Sequence, residues 1–251
     1  MPRSSNDKVG GKTPKQPSNE ITDFYGMADV KKHIKKTENP AFKDHHIPIP
    51  FRALIIGSSG AGKTTVALEL IKRMPNTFDF IVLICRSVEE PLYQYLIKKC
   101  RGMIHTVEID SKTAVPTLDE IIQFKQESKD NILVIYDDLV ALNPKKQEPI
   151  EDAFIRARKF NVSLMYLTQS YFKTSKIIRL NSNIVIIKKV SNLRDIRMVL
   201  SDYNLDKTVD EMVQGYKKAT ENVKTFMLIR LDLPSDDPHK ITLNFHESLF
   251  P

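Results

Sequence analysis

The sequence predicts an α/β fold with a mainly parallel central sheet covered by helices on both faces. Three observations carry this. Apolar runs of strand length, at 51–56 (FRALII), 80–85 (FIVLIC) and 132–136 (ILVIY), are continuous rather than alternating, as in strands buried on both faces. Segments with helical spacing of apolar residues separate these runs. Finally, three of only eight glycines, Gly57, Gly60 and Gly62, fall just after the first run, where backbone must approach something closely.

Taken in order, residues 1–45 stand apart as a basic tail. Residues 1–20 hold Pro2, Pro14, Pro17, Gly10 and Gly11 among polar residues, too little apolar surface to repay chain entropy, so disorder is expected there. A short basic helix is expected at 28–38, with Val30 and Ile34 on one face. Residues 46–251 read as one domain. After the strand at 51–56 comes a helix at 64–74, stopped by Pro75. The strand at 80–85 follows, then a helix at 90–100 with Pro91 in its first turn. An alternating strand is expected at 103–109 and a capped helix at 117–126. The third apolar strand ends in two aspartates. A helix at 148–160, strands at 162–167 and 184–187, helices at 192–200 and 209–218, and a strand at 226–231 complete the pattern. No internal repeat is visible.

Composition excludes several classes. No apolar run approaches the roughly 18–20 residues of a membrane-spanning helix. Cys85 and Cys100 are too few for a disulfide framework or a Cys-rich zinc module. The first residues (MPRSS) contain no apolar segment of a secretory signal, so an intracellular protein is expected. The histidines (His105, His239, His246 and the His45–His46 pair) lack partners at metal-ligand spacing. The net charge of +7 allows a polyanionic partner without identifying it.

The stretch Gly57-Ser58-Ser59-Gly60-Ala61-Gly62-Lys63-Thr64 matches G-x-x-x-x-G-K-[ST] in full. Its glycines let backbone N–H groups curl around phosphate oxygens, and the following helix aims its positive end at them. Lys63 would reach the β- and γ-phosphates of ATP, the Thr64 hydroxyl would bind Mg²⁺, and Thr65 starts the helix. The strand-then-helix setting separates this from a chance glycine-rich turn. The strand at 132–136 delivers Asp137 to the sheet edge as a Mg²⁺-side carboxylate, and Asp138 can polarise the attacking water. A second carboxylate favours an NTPase that hydrolyses with its own base. Thr168-Gln169 ends a strand expected beside the glycine-loop strand, where the Gln169 amide could sense the γ-phosphate.

Together these motifs and the stretch 157–169 (ARKFNVSLMYLTQ) resemble the FtsK–HerA superfamily of DNA-pumping ATPases. Within it the chain looks most like the genome-packaging ATPases of nucleocytoplasmic large DNA viruses, the poxvirus type, and virophages. The likeness covers about residues 47–231. It implies a P-loop fold of the ASCE, RecA/FtsK-like kind and an ATP-hydrolysing pentameric or hexameric ring. Such a ring translocates double-stranded DNA into a preformed capsid, in company with capsid or vertex proteins and a nuclease. The implied setting is the host cytoplasm, in the virus factory, and the virion. Carried over residue by residue, Lys63 and Thr64 bind nucleotide and Mg²⁺, Asp137 is the metal-side carboxylate, Asp138 the base and Gln169 the sensor. The chain departs at Asp138, where cellular pumps usually have Glu. Such rings complete each site with a neighbour's arginine. Arg158 fits the pattern best, with Arg156 and Arg179 as the other candidates.

Residues 171–200 hold seven Lys and Arg against Asp195 alone, a net +6. With the basic loop expected at 143–147, they would suit a motor that grips phosphates without reading sequence. Two other readings stay open at this level. One is a RecA- or AAA-type replication ATPase, a helicase or loader. The other is a nucleotide-binding assembly switch without productive turnover.

Overall fold

A computed structural model describes residues 21–32, 39–127, 130–203 and 205–250. The chain divides into two compact units, at Lys36 and Thr37. Of the first, the described residues form a 3₁₀ turn at Phe24–Gly26 and one turn of helix, α1 (Ala28–Lys31). The rest of the helix expected at 28–38 and the tail at 1–20 lie outside the described residues.

The second unit begins earlier than residue 46. α2 (Phe42–His45) belongs to it, because Ala41 and His45 are buried and the His45 carbonyl accepts two hydrogen bonds from Arg230. β1 (Arg52–Ile56) runs into the glycine loop, and α3 (Lys63–Lys72) leaves it. β2 (Phe80–Cys85), α4 (Pro91–Lys99), β3 (Ile104–Glu108) and α5 (Leu118–Ile122) follow. Thr117 and Glu120 cap α5 reciprocally. β4 (Ile132–Asp137) leads to α6 (Pro144–Arg156), a 3₁₀ turn (Ala157–Phe160) and β5 (Val162–Thr168). α7 (Lys176–Asn181), β6 (Ile184–Ile187), α8 (Leu193–Ser201), α9 (Val209–Ala219) and β7 (Met227–Arg230) come next. Two short strands, β8 (Ile241–Leu243) and β9 (Glu247–Ser248), close the chain.

α6 corrects one expectation. Residues 143–147 are its capped first turn, not a basic loop. The Asn143 side chain accepts from the Lys146 N–H, and Pro144 sits where its missing N–H costs nothing. Pro149 lies inside the same helix, and this obscured the start at 144.

The described strands form one sheet in the order β3-β2-β4-β5-β1-β6-β7-β8-β9. The first six are parallel and the last three join antiparallel. α3 and α4 cover one face through Val66, Leu70, Tyr93 and Leu96. The helices α5 to α9 cover the other through residues such as Ile121, Phe154, Ile178, Val199 and Met212. Both faces of the inner strands are therefore dry, which is why β1, β2, β4 and β6 read as unbroken apolar runs, whereas the edge strand β3 alternates.

Register then determines what meets at the carboxyl ends. Ile56 pairs with Thr168 on one side and Ile187 on the other, and Asp137 pairs with Leu167. The next residues, Gly57, Asp138, Gln169 and Lys188, therefore emerge together along one edge of the sheet.

Candidate active site

The glycine loop is fixed to the strands on either side of it. The Gly57 N–H donates to Thr168 O at 3.2 Å and the Ser58 N–H to Lys189 O at 3.0 Å. A side chain at Gly57 has no room, since its Cβ would stand 2.8 Å from the Lys188 Cβ. Gly60 and Gly62 have φ of +71° and +86°, a conformation glycine adopts without cost. Gly62 caps α3, so the free N–H groups of the first helical turn open into the loop. Lys63 is buried there and its Nζ donates to Gly57 O and Ser58 O at 3.1 and 3.2 Å. Burial lowers its pKa, and Asp137, Asp138 and Glu90 pull it back. The loop thus holds an ammonium and helix N–H groups within reach of one space, a donor set suited to a polyphosphate.

Opposite Lys63 stand the two aspartates. Asp137, at the last position of β4, accepts a 2.6 Å hydrogen bond from the Tyr93 hydroxyl of α4. Burial raises its pKa, the Tyr93 bond works against that rise, and the nearby Glu90 adds to it. Burial and Asp137 in turn raise the Tyr93 phenol, which holds its proton as a donor. Asp138 adopts φ +54°, a left-handed conformation that Asp and Asn tolerate better than other side chains with a Cβ. That turn aims its carboxylate at Gln169, whose Nε2 donates to Asp138 Oδ1 at 3.1 Å. Thr168 is buried and its hydroxyl accepts from the Ser170 N–H, which fixes the turn carrying Gln169. Hard oxygen donors from Thr64 and Asp137 suit a Mg²⁺ ion.

Lys63, Thr64, Asp137, Asp138 and Gln169 are thus gathered at one edge. Two contributors had no sequence signal: Glu90 and Tyr93 fell within the helix expected at 90–100 without being singled out. A buried tyrosine hydroxyl needs a hydrogen-bond partner, and for Tyr93 that partner is Asp137.

The three arginines separate clearly. Arg156 pairs with Asp152 and Asp119 at 2.8 and 3.1 Å. Arg179 pairs with Asp202 at 2.5 Å and lies over the Tyr171 ring. Arg158 is exposed with no hydrogen bond or ion pair to another described residue. It precedes β5, at the end of the sheet opposite the glycine loop.

The basic segment is less uniform than its composition. Lys188 is buried, its Nζ donating to Val223 O and Thr225 O. Lys146 Nζ donates to the carbonyls of Asp110, Ser111 and Thr113. Arg197 pairs with Asp210. Lys173, Lys176, Lys189 and Arg194 remain exposed. His46, His239 and His246 cluster, with the first two stacked at 3.7 Å. Among the described residues no group has the makings of a metal site of His, Cys, Asp and Glu.

The sequence profile of the poxvirus A32 protein family matches residues 41–247. A search of curated protein sequences returns no significant match. Among solved structures, the DNA-packaging ATPase B204 from Sulfolobus Turreted Icosahedral Virus superposes with a TM-score of 0.57. The two are 13% identical over 80% of this chain and 99% of B204. The genome packaging NTPase B204 from Sulfolobus turreted icosahedral virus 2, in complex with ATP-gammaS, gives 0.54 at 13% identity over 78% and 98%. EssC (ATPases 2 and 3) from Geobacillus thermodenitrificans gives 0.53 at 10% identity over 80% of this chain and 40% of EssC. At these identities the likeness is one of fold.

Proposed function

The chain belongs to the poxvirus A32 protein family, and from that premise we propose that it is an ATP-hydrolysing motor that packages viral double-stranded DNA into a preformed capsid. One observation carries the reading most: register brings the glycine loop, Asp137, Asp138 and Gln169 to one sheet edge, with Gln169 bonded to Asp138 at 3.1 Å. A carboxylate held by an amide at that edge is placed for hydrolysis. In a protein that only stored nucleotide, Asp138 would have no work.

Residue roles follow from position. Residues 57–65 cradle the triphosphate, and the Lys63 ammonium and helix N–H groups offset its charge. Thr64 and Asp137 would hold Mg²⁺, which supplies further neutralisation of the phosphate oxygens when bound. Tyr93 occupies one oxygen of Asp137 and so sets which way the carboxylate turns. Asp138 accepts a proton from the attacking water, and Gln169 orients that water. Arg158 serves the neighbouring subunit of a pentameric or hexameric ring, because it alone of the three arginines makes no ion pair with a described residue. Lys173, Lys176, Lys189 and Arg194, exposed cations of residues 171–200, would grip DNA phosphates. Capsid or vertex proteins and a nuclease are the further partners, and the host cytoplasm, the virus factory and the virion are the setting. No helix among the described residues is long and apolar enough to cross a membrane.

The test is ATP hydrolysis by the full chain with and without double-stranded DNA. Stimulation by DNA that Lys63→Ala and Asp138→Asn both abolish is expected. Turnover indifferent to DNA of any kind would overturn the motor.

A further inference from the structure

The residues that follow β6 are fitted to the glycine loop. The Lys188 N–H donates to Ile56 O at 2.8 Å, and the Ser58 N–H donates to Lys189 O at 3.0 Å. The Ser191 N–H donates to Ser58 Oγ at 3.0 Å, and the two serine hydroxyls lie 2.8 Å apart. The Lys188 side chain continues along the same loop. A Cβ placed on Gly57 would stand 2.8 Å from the Lys188 Cβ. One placed on Gly62 would stand 3.7 Å from its Cε and 3.9 Å from its Nζ. The stem therefore reaches from the first glycine of the motif to the last, and only the missing side chain at Gly57 lets it pass.

The ammonium then ends on the loop after α9, donating to Val223 O at 2.5 Å and Thr225 O at 3.0 Å. That loop is braced in turn. The Thr225 N–H donates to Asn222 O, and the Phe226 N–H donates to Asn244 Oδ1. Lys188 is only 2% exposed. Burial lowers its pKa, and no carboxylate among the described residues raises it. Burying an ammonium without a carboxylate is unfavourable unless something offsets it. A polyphosphate in the glycine loop does so, because it draws on the charge and on a loop already held in shape.

We infer that Lys188 is a positioning residue of the phosphate cradle: packed along the glycine loop and anchored on the loop after α9, it sets the cradle's shape before nucleotide arrives and joins the two loops into one unit. The inference rests on the proposed triphosphate reading of the glycine loop and deepens it. Asp137, Asp138 and Gln169 follow β4 and β5, on the other side of β1 from β6. Once a ligand fills the cradle they no longer depend on Lys188, so Lys188 acts on binding rather than on the chemical step. The coupling is reciprocal. If the loop after α9 shapes the cradle, a polyphosphate in the cradle steadies that loop.

Lys188→Met keeps the stem and removes the ammonium. Titration of the full chain with a non-hydrolysable ATP analogue and with inorganic tripolyphosphate should show both weakened about 10- to 30-fold. At saturating ATP, kcat should stay within about threefold of the wild type. A residue that only stabilised the fold would lower the melting temperature and leave both affinities within about twofold. That result would overturn the inference. A second measurement needs no variant. Amide exchange at Thr225 and Phe226 of the wild type should slow at least about threefold when tripolyphosphate binds. Unchanged exchange with tripolyphosphate bound would overturn the inference and leave the motor standing. Failure of the wild type to bind either ligand would overturn the triphosphate reading and this inference together.

Discussion

At Asp138 the backbone and the chemistry make the same demand. A left-handed φ of +54° turns the carboxylate toward Gln169, and Asp and Asn accept that conformation better than a longer side chain. Asp138→Asn should therefore fold and bind ATP, yet lose roughly 10²- to 10⁴-fold in turnover, as read by steady-state hydrolysis beside nucleotide titration. Tyr93 acts one step back. Tyr93→Phe keeps the buried ring and removes only the 2.6 Å bond to Asp137, so the melting temperature should hold. The Mg²⁺ concentration for half-maximal turnover should rise, with a loss in kcat/KM of about tenfold. Unchanged Mg²⁺ dependence would remove Tyr93 from the machinery. Of these residues, Lys63, Thr64, Asp137, Asp138 and Gln169 were legible in the sequence, because each sits at a fixed offset from a glycine loop or a strand end. Tyr93 and Glu90 were not, because what brings them to Asp137 is the pairing of β2 with β4, a contact no local pattern encodes.

One buried cation joins apolar packing in holding the elements together. Arg230, fully buried at the end of β7, makes no ion pair with a carboxylate among the described residues. It donates instead to the carbonyls of His45, His239 and Phe245 and to the Thr242 hydroxyl. It thereby ties α2 to the last strands, and burial brings its pKa down to about 10, still charged at neutral pH. Arg230→Met should cost about 3 kcal/mol or more in urea unfolding, since several buried carbonyls lose their donor at once. His45 beside it is fully buried, with Nδ1 accepting from the Ile47 N–H. Burial, then Arg230, lower its pKa from 6.5 to about 4, against a raising influence from Asp44. A histidine depressed in the folded state leaves the unfolded chain binding more protons. Stability is therefore complete above pH 6.5 and falls as pH drops toward 4, by about 3 kcal/mol in all. Urea midpoints across that window should fall in the wild type and fall less in His45→Asn. The long buried strands and capped helices were plain in the sequence from run length and caps. β8 and β9 were not, because three- and two-residue strands carry no periodicity, and α2 fell within the expected tail because its hydrogen bonds from Arg230 come from far along the chain.

For the whole molecule, the useful charge is set by which cations keep their ammonium or guanidinium groups exposed. Lys188 and Lys146 counted as possible DNA contacts by composition, but their ammonium groups are taken up by backbone carbonyls. A sequence shows that a lysine is present, not what has already claimed its protons. Lys173→Ala and Arg194→Ala should each weaken DNA binding and flatten its dependence on salt, by about one unit of log–log slope apiece, in titrations at several salt concentrations. Arg158 pairs with no described residue and lies at the far end of the sheet from its own loop, so the role proposed for it is at a neighbour's site. Mixing Arg158→Ala subunits with Asp138→Asn subunits should restore hydrolysis that neither shows alone, and no restoration would assign Arg158 elsewhere. The central claim is movement of double-stranded DNA by ATP hydrolysis, and displacement of a third strand from a DNA triplex by the full chain tests it most directly. Release that requires ATP and is absent in Lys63→Ala and Asp138→Asn is expected. Release without ATP, or ATP hydrolysis on triplex DNA with no release, would contradict it.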